Sequence, residues 1–190
     1  MRTMKGKVFL TFALVVILAL TLTASALAKG GKAPQVYRAN LIALNGSGVS
    51  GQVTVEVLPG NLVTVTLSAR GLVRREVHMQ HILGFANGSQ SIVPPPTADT
   101  NGDGYISFAE ALPFTGPMLL DLTPYPAGTK NSKIEFTHTY RMPAIKALDL
   151  NQVPLSKRAI MIQGGFRAAV YGRPVYDPTL PVAAARFVKN

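Results

Sequence analysis

The chain has 190 residues, 19 Lys and Arg against 9 Asp and Glu for a net charge of +10, and no Cys. Without Cys it can form no disulfide and do no thiol chemistry. Its basic excess shows no stripe of Lys and Arg with interleaved aromatics, which sets a nucleic-acid partner aside.

Residues 1–28 begin with Arg2, Lys5 and Lys7, continue as an apolar run from Val8 and end in the small residues of "ALA" at Ala26 to Ala28. This is the layout of a secretory signal peptide cut before Lys29, and it predicts a secreted or periplasmic protein. An uncleaved anchor is the alternative, since roughly 20 apolar residues span a bilayer. The small residues favour cleavage, which leaves no stable membrane span. Residues 29–190 then form a single domain, long enough for a real core. The leader takes three basic residues with it, so the charge falls from +10 to +7. Such a charge suits an anionic cell-envelope polymer as a partner.

The mature part opens as an extended segment followed by the turn region "NGSG". In "QVTVEVLPGNLVTVTLSA", Val53, Val55 and Val57 alternate with polar residues, as do Val63, Val65 and Leu67, with "PGN" between them. That pattern predicts a β-hairpin with one buried face. "EVHMQHILGF" continues the period of two, with Val77, Met79, His81 and Leu83 on one face. "KIEFTHTYRM" alternates Ile134, Phe136, His138, Tyr140 and Met142 with charged and Thr positions; "RAIMIQGGF" and "VAAARFV" read as two later strands. With 14 Pro and 17 Gly in the chain, long helices are not expected, and "MPAIKALDLN" (142–151) is the segment open to a short one. The expected fold is all-β, a sandwich.

Between the strands lies "DTNGDGYISFAE", residues 99–110, which places three of the nine carboxylates in twelve residues. It fits the twelve-residue calcium loop at every ligand position. Asp99, Asn101 and Asp103 supply side-chain oxygens at the first, third and fifth positions, and Gly104 makes the sharp turn. Tyr105 offers its backbone carbonyl, Ser107 suits the ninth position, and Glu110 closes the shell with two oxygens. A hard cation such as Ca2+ takes six to eight oxygens at about 2.3–2.6 Å. A helix pair, the moving part of a calcium sensor, is not expected around it. The prolines of "SIVPPPTA" bar a helix upstream, and Pro113 allows only about one turn after Ser107. The loop therefore reads as a structural staple, with an affinity near that of extracellular modules, about 10⁻⁴–10⁻³ M.

His78, His81 and His138 form the alternative, a copper or zinc site. His78 and His81 have opposite parity on a straight strand, so a shared ion requires a bulge between them. His138 lies on the apolar face of its strand, where it could meet His81 across the core. No "GxSxG", "HExxH" or phosphate-binding loop occurs, so no enzyme is expected.

The hairpin segment with "VHMQHILGF", the stretch "ADTNGDGYISFAEALPFTGPMLLDLTPYP" and the late "YDPTLPVA" together resemble bacterial exported proteins of the CHRD (chordin-type) domain group that carry an embedded EF-hand-like calcium loop. The resemblance covers roughly residues 48–183. It implies an immunoglobulin-like or superoxide-dismutase-like β-sandwich with no defined biochemical activity, a binding or structural module. Members tend to show "HxQHIHG" and "LHG" where this chain has Leu83 and Gln163, a loss that weakens the transition-metal alternative.

Overall fold

The computed structural model describes residues 33–60, 62–141, 150, 153–168 and 173–190. The predicted signal peptide at 1–28 lies outside them, as does the predicted helix at 142–151 apart from Leu150. Residues from Pro34 onward form one compact unit.

The hairpin forms as its alternation predicts. Strands β3 (Ser50–Leu58) and β4 (Leu62–Arg70) pair antiparallel with Val55 opposite Val65. Gly60 takes φ 80° in the turn, a conformation that costs an L side chain strain. Val53, Val55, Val65 and Leu67 are fully buried on one face. On the outer face, β4 and its paired neighbour β7 (Lys133–Arg141) form a polar ladder: the Thr64 and Thr139 hydroxyls are 2.8 Å apart, and Ser68 donates to Glu135 at 2.8 Å. With β1 (Gln35–Asn40) and β10 (Val188–Lys189), these strands make one five-stranded sheet, ordered β10-β1-β3-β4-β7.

The second sheet is ordered β2-β9-β8-β5-β6, from β2 (Ile42–Ala43), β9 (Val175–Arg186), β8 (Ala159–Arg167), β5 (Gln80–Leu83) and β6 (Met118–Asp121). One core joins the two sheets, packing Val53, Val65 and Leu67 with Ile82, Ile160, Ile162 and Ala183. The protein is therefore a β-sandwich. Single buried residues carry the chain from sheet to sheet: Leu41 between β1 and β2, and Phe187 between β9 and β10.

The second sheet departs from the expected one-sided pattern. All four residues of β5 and the first seven of β8 are buried. The cause is a third layer. Residues 91–115 lie over the outer face of this sheet, where Ala98, Ile106, Ala111 and Phe108 pack against Leu83, Met161, Ala184 and Leu44. A strand covered on both faces loses alternation from its sequence.

The layer holds helix α1 (Phe108–Thr115), which runs through Pro113 for two turns rather than the single turn expected. Two effects offset the missing Pro113 N–H. Ser107 and Glu110 form a reciprocal capping box, and Ala111 and Thr115 are buried against the sheet. Upstream, the prolines leave only the 3₁₀ turn Pro96–Ala98, as their sequence requires.

Candidate functional site

The loop at 99–110 curls through two glycines in left-handed conformation, Gly102 at φ 71° and Gly104 at φ 85°. The Asp99 carboxylate accepts from the Gly102 and Gly104 N–H groups, each at 2.9 Å. Asn101 Oδ1 accepts from the Asp103 N–H and Asp103 Oδ1 from the Tyr105 N–H, both at 2.8 Å. Glu110 reaches back across the loop. Its Oε1 accepts from the Thr100 N–H (3.0 Å), the Thr100 hydroxyl (2.9 Å) and the Asn101 N–H (3.2 Å). Its Oε2 accepts from the Ser107 N–H (2.9 Å) and hydroxyl (2.8 Å).

These bonds fold the predicted oxygen donors into one curl of chain. An oxygen that accepts one hydrogen bond retains a lone pair for a cation, which holds for Asp99, Asn101 and Asp103. Glu110 Oε1 already takes three donors, so binding through it requires release of Thr100 and Asn101. Among the described residues, no three His, Asp or Glu side chains are grouped as a ready metal cluster. The donor set is all oxygen, which fits a hard cation and not a transition metal.

The same bonds shift the titration of Glu110. The Ser107 backbone N–H, then the Ser107 hydroxyl and the Thr100 donors, hold its carboxyl down at about 2, from an ordinary 4.5. A depressed folded value stabilises the native state above the unfolded value and loses that contribution as pH falls toward about 2. In chelator, the urea midpoint of the wild type should therefore drop between about pH 4.5 and 2 more steeply than that of Glu110→Gln. Parallel pH profiles for the two proteins would contradict this.

Residues outside the loop hold it in place, and sequence reasoning did not single them out for it. Arg167, at the end of β8, donates from Nε to Asp177 at 2.7 Å and brings Nη1 within 3.5 Å of Asp103. Its guanidinium lies 5.3 Å from the Tyr105 ring centre, and the Ala168 N–H donates to the Tyr105 hydroxyl at 2.6 Å. The loop's negative charge is thus partly met by a cation from the second sheet. Asn45, in the turn after β2, pairs its side-chain amide with the backbone of Ile106. In sequence, "NGSG" signals only a turn, and a lone Arg in a basic chain signals nothing.

The three histidines do not come together. Gln80 and Ile82 occupy the inward-facing register of β5, so His81 points outward beneath α1. There its ring is 6.2 Å from that of Phe108, and its Nδ1 lies 3.2 Å from Asp121 Oδ1, at an angle outside hydrogen-bond geometry. Gln163 donates from Nε2 to Thr179 O at 2.8 Å, which turns its Oε1 toward His81 Nε2, also at 2.8 Å. That arrangement assigns the ring proton to Nε2. His78 is fully buried, with Nδ1 3.0 Å from Gln163 O and Nε2 3.2 Å from Val73 O. His138 packs between Phe136 and Tyr140 on β7, in the other sheet. The expected meeting of His138 with His81 fails on parity: His81 faces the covering layer, not the space between sheets. Irregularities in strand pairing near these rings fall at Gln163 on β8 and between Ile82 and Leu83 on β5, while His78 lies outside β5 altogether. The proposed His78, His81 and His138 metal set is accordingly not assembled.

No family model and no curated protein matches the chain. Among solved structures it is similar to superoxide dismutase 5 of Candida albicans. A mutant form aligns at 11% identity and TM-score 0.46, covering 83% of this chain and 92% of that one. The Cu(II) form aligns at 11% identity and TM-score 0.44, covering 82% and 92%. The clock protein EA4 aligns at 10% identity and TM-score 0.45, covering 83% and 96%. Such distances add nothing about a site, and the sandwich stands on the chain's own strand pairing and core.

Proposed function

We propose that this chain is an exported, non-enzymatic β-sandwich module of the chordin-type group whose loop at 99–110 binds one calcium ion as a structural staple. The ligands are the side chains of Asp99, Asn101 and Asp103, the Tyr105 carbonyl, Ser107 directly or through water, and Glu110. The observation that carries this reading is the curl itself. The oxygen donors at all six positions belong to one segment wound through Gly102 and Gly104, and that segment roofs an apolar sheet face. When bound, the ion supplies charge neutralisation between neighbouring carboxylates and fixes the loop ends. Asp99 anchors the turn, Glu110 caps α1, and Arg167 offsets part of the charge at Asp103.

A sensor role is disfavoured on physical grounds. Among the described residues the loop is entered by a 3₁₀ turn and left by α1, which is two turns long and has its inner face committed to the sheet. With no second helix among the described residues to open against, calcium acts on the stability of the layer.

Calorimetric titration of the purified protein with calcium tests the reading. Saturable binding at a one-to-one ratio is expected, with a dissociation constant of about 10⁻⁴–10⁻³ M and weaker heat from magnesium, which demands tighter octahedral geometry. No saturable heat up to millimolar calcium would sink it.

A further inference from the structure

We propose that Asn45 is the positioning residue that sets the ligand geometry of this loop, acting as a built-in substitute for a second, paired loop; the proposal rests on the calcium reading above. The Ile106 N–H donates to Asn45 Oδ1 at 2.7 Å, and Asn45 Nδ2 donates to Ile106 O at 2.9 Å. One side-chain amide thus makes the two-way contact that a neighbouring strand would otherwise make with Ile106.

The consequence follows from peptide planarity. The Ile106 N–H belongs to the same rigid unit as the Tyr105 carbonyl, and in a trans peptide the two point in opposite directions. Holding the N–H on Asn45 therefore turns the Tyr105 oxygen away from Asn45 and fixes the direction of a proposed ligand. The Ile106 carbonyl shares its plane with the Ser107 N–H in the same way. Holding that carbonyl on Asn45 aims the Ser107 N–H at Glu110 Oε2, 2.9 Å away. Asn45 thereby fixes two consecutive peptide planes, one carrying a ligand oxygen and the other orienting the closing carboxylate.

Asn45 can do this because it is itself fixed. Its Nδ2 also donates to Pro181 O at 2.8 Å on β9, which assigns the amide orientation, and the preceding Leu44 N–H donates to Val182 O at 2.9 Å. The residue sits at φ 55°, a left-handed conformation that Asn tolerates better than most side chains. The loop is in this way referenced to the second sheet and not to a partner loop.

The test compares the wild type with Asn45→Gly, which accepts the φ without strain and removes only the amide. Ser47→Ala serves as the control, losing two bonds of the same turn, to Val182 O and from the Val49 N–H, without touching the loop. Asn45→Gly should weaken calcium binding by about 10–100-fold, the range for outer-shell partners of a metal site, while Ser47→Ala stays within about threefold. If both variants weaken calcium equally, the effect is one of turn stability and the role given to Asn45 is overturned. Wild-type binding with an unchanged Asn45→Gly constant overturns it as well, whereas no calcium heat from the wild type overturns the calcium reading itself. Should Asn45→Gly not fold, amide exchange in the wild type decides. A protected Ile106 N–H in chelator supports the pairing as a property of the fold, and rapid exchange there removes it.

Discussion

Asp99→Ala is expected to abolish the calcium-dependent rise in melting temperature. In the wild type, 10 mM calcium against a dissociation constant of about 10⁻⁴ M gives about 2.7 kcal/mol of stabilisation. For a chain of this length that corresponds to roughly 5–10 °C. Asp99 is chosen over the other ligands because it does two things. It supplies the first oxygen of the set, and it holds the Gly102 and Gly104 N–H groups that close the turn. Its removal therefore takes away a ligand and the geometry of the turn that brings Asp103 and Tyr105 around. Paired melts in calcium and in chelator make the measurement. A variant that keeps the full wild-type shift would mean that the ion binds elsewhere.

The loss in chelator should be smaller. Without the ion, Asp99→Ala forfeits two exposed hydrogen bonds, each worth about 1 kcal/mol net. The covering layer would remain docked through Ile106, Ala111 and Phe108. The contrast separates ion binding from folding of the insert.

Gly116→Ala should be among the most damaging single substitutions in the chain, at about 3 kcal/mol or more and on the order of 10 °C in melting temperature. Gly116 ends α1 at φ 79°, where the covering layer hands over to β6. A Cβ there would lie 2.4 Å from the Gly84 carbonyl carbon and 2.6 Å from its oxygen. Those are backbone atoms next to β5 and cannot swing aside. The end of the helix must lift, which opens the packing of Ala111 on the sheet. Gly60→Ala provides the comparison, because Gly60 has a similar φ of 80° with no atom within 4 Å of the added Cβ. It should cost only the conformational strain, about 1–2 kcal/mol. Denaturant midpoints for the two variants isolate the clash; equal losses would show that Gly84 yields.

The predicted hairpin at 52–69 forms because each side of the first sheet meets one environment. Val53, Val55, Val65 and Leu67 face the core while Thr64, Thr66 and Ser68 face outward, so the period of two records the structure directly. β5 and β8 carry no such record, since two different partners bury their two faces. The same holds for His81. Its parity in the sequence was correct, but the apolar side it shares with Leu83 faces the insert and not the sandwich interior.

α1 illustrates a different limit. Pro113 correctly marks a local cost, and Ser107 with Glu110 correctly marks a helix start, yet their balance depends on how much the helix buries. Ala111 and Thr115, both fully buried, tip it toward two turns. Local rules fix the sign of each contribution, and only packing fixes the sum.

The sequence by itself determined the hairpin, the all-β class, the oxygen-rich loop with its glycines, and the absence of thiol chemistry. All of these depend on residue type and short-range spacing. The tertiary structure decided what the loop is attached to. It laid residues 91–115 over the second sheet, separated the three histidines, and brought Asn45 and Arg167, 61 and 64 positions away from their partners Ile106 and Asp103, against the loop. Contacts at such separations are set by how sheets stack and where the chain crosses between them. No local pattern of hydropathy carries that information.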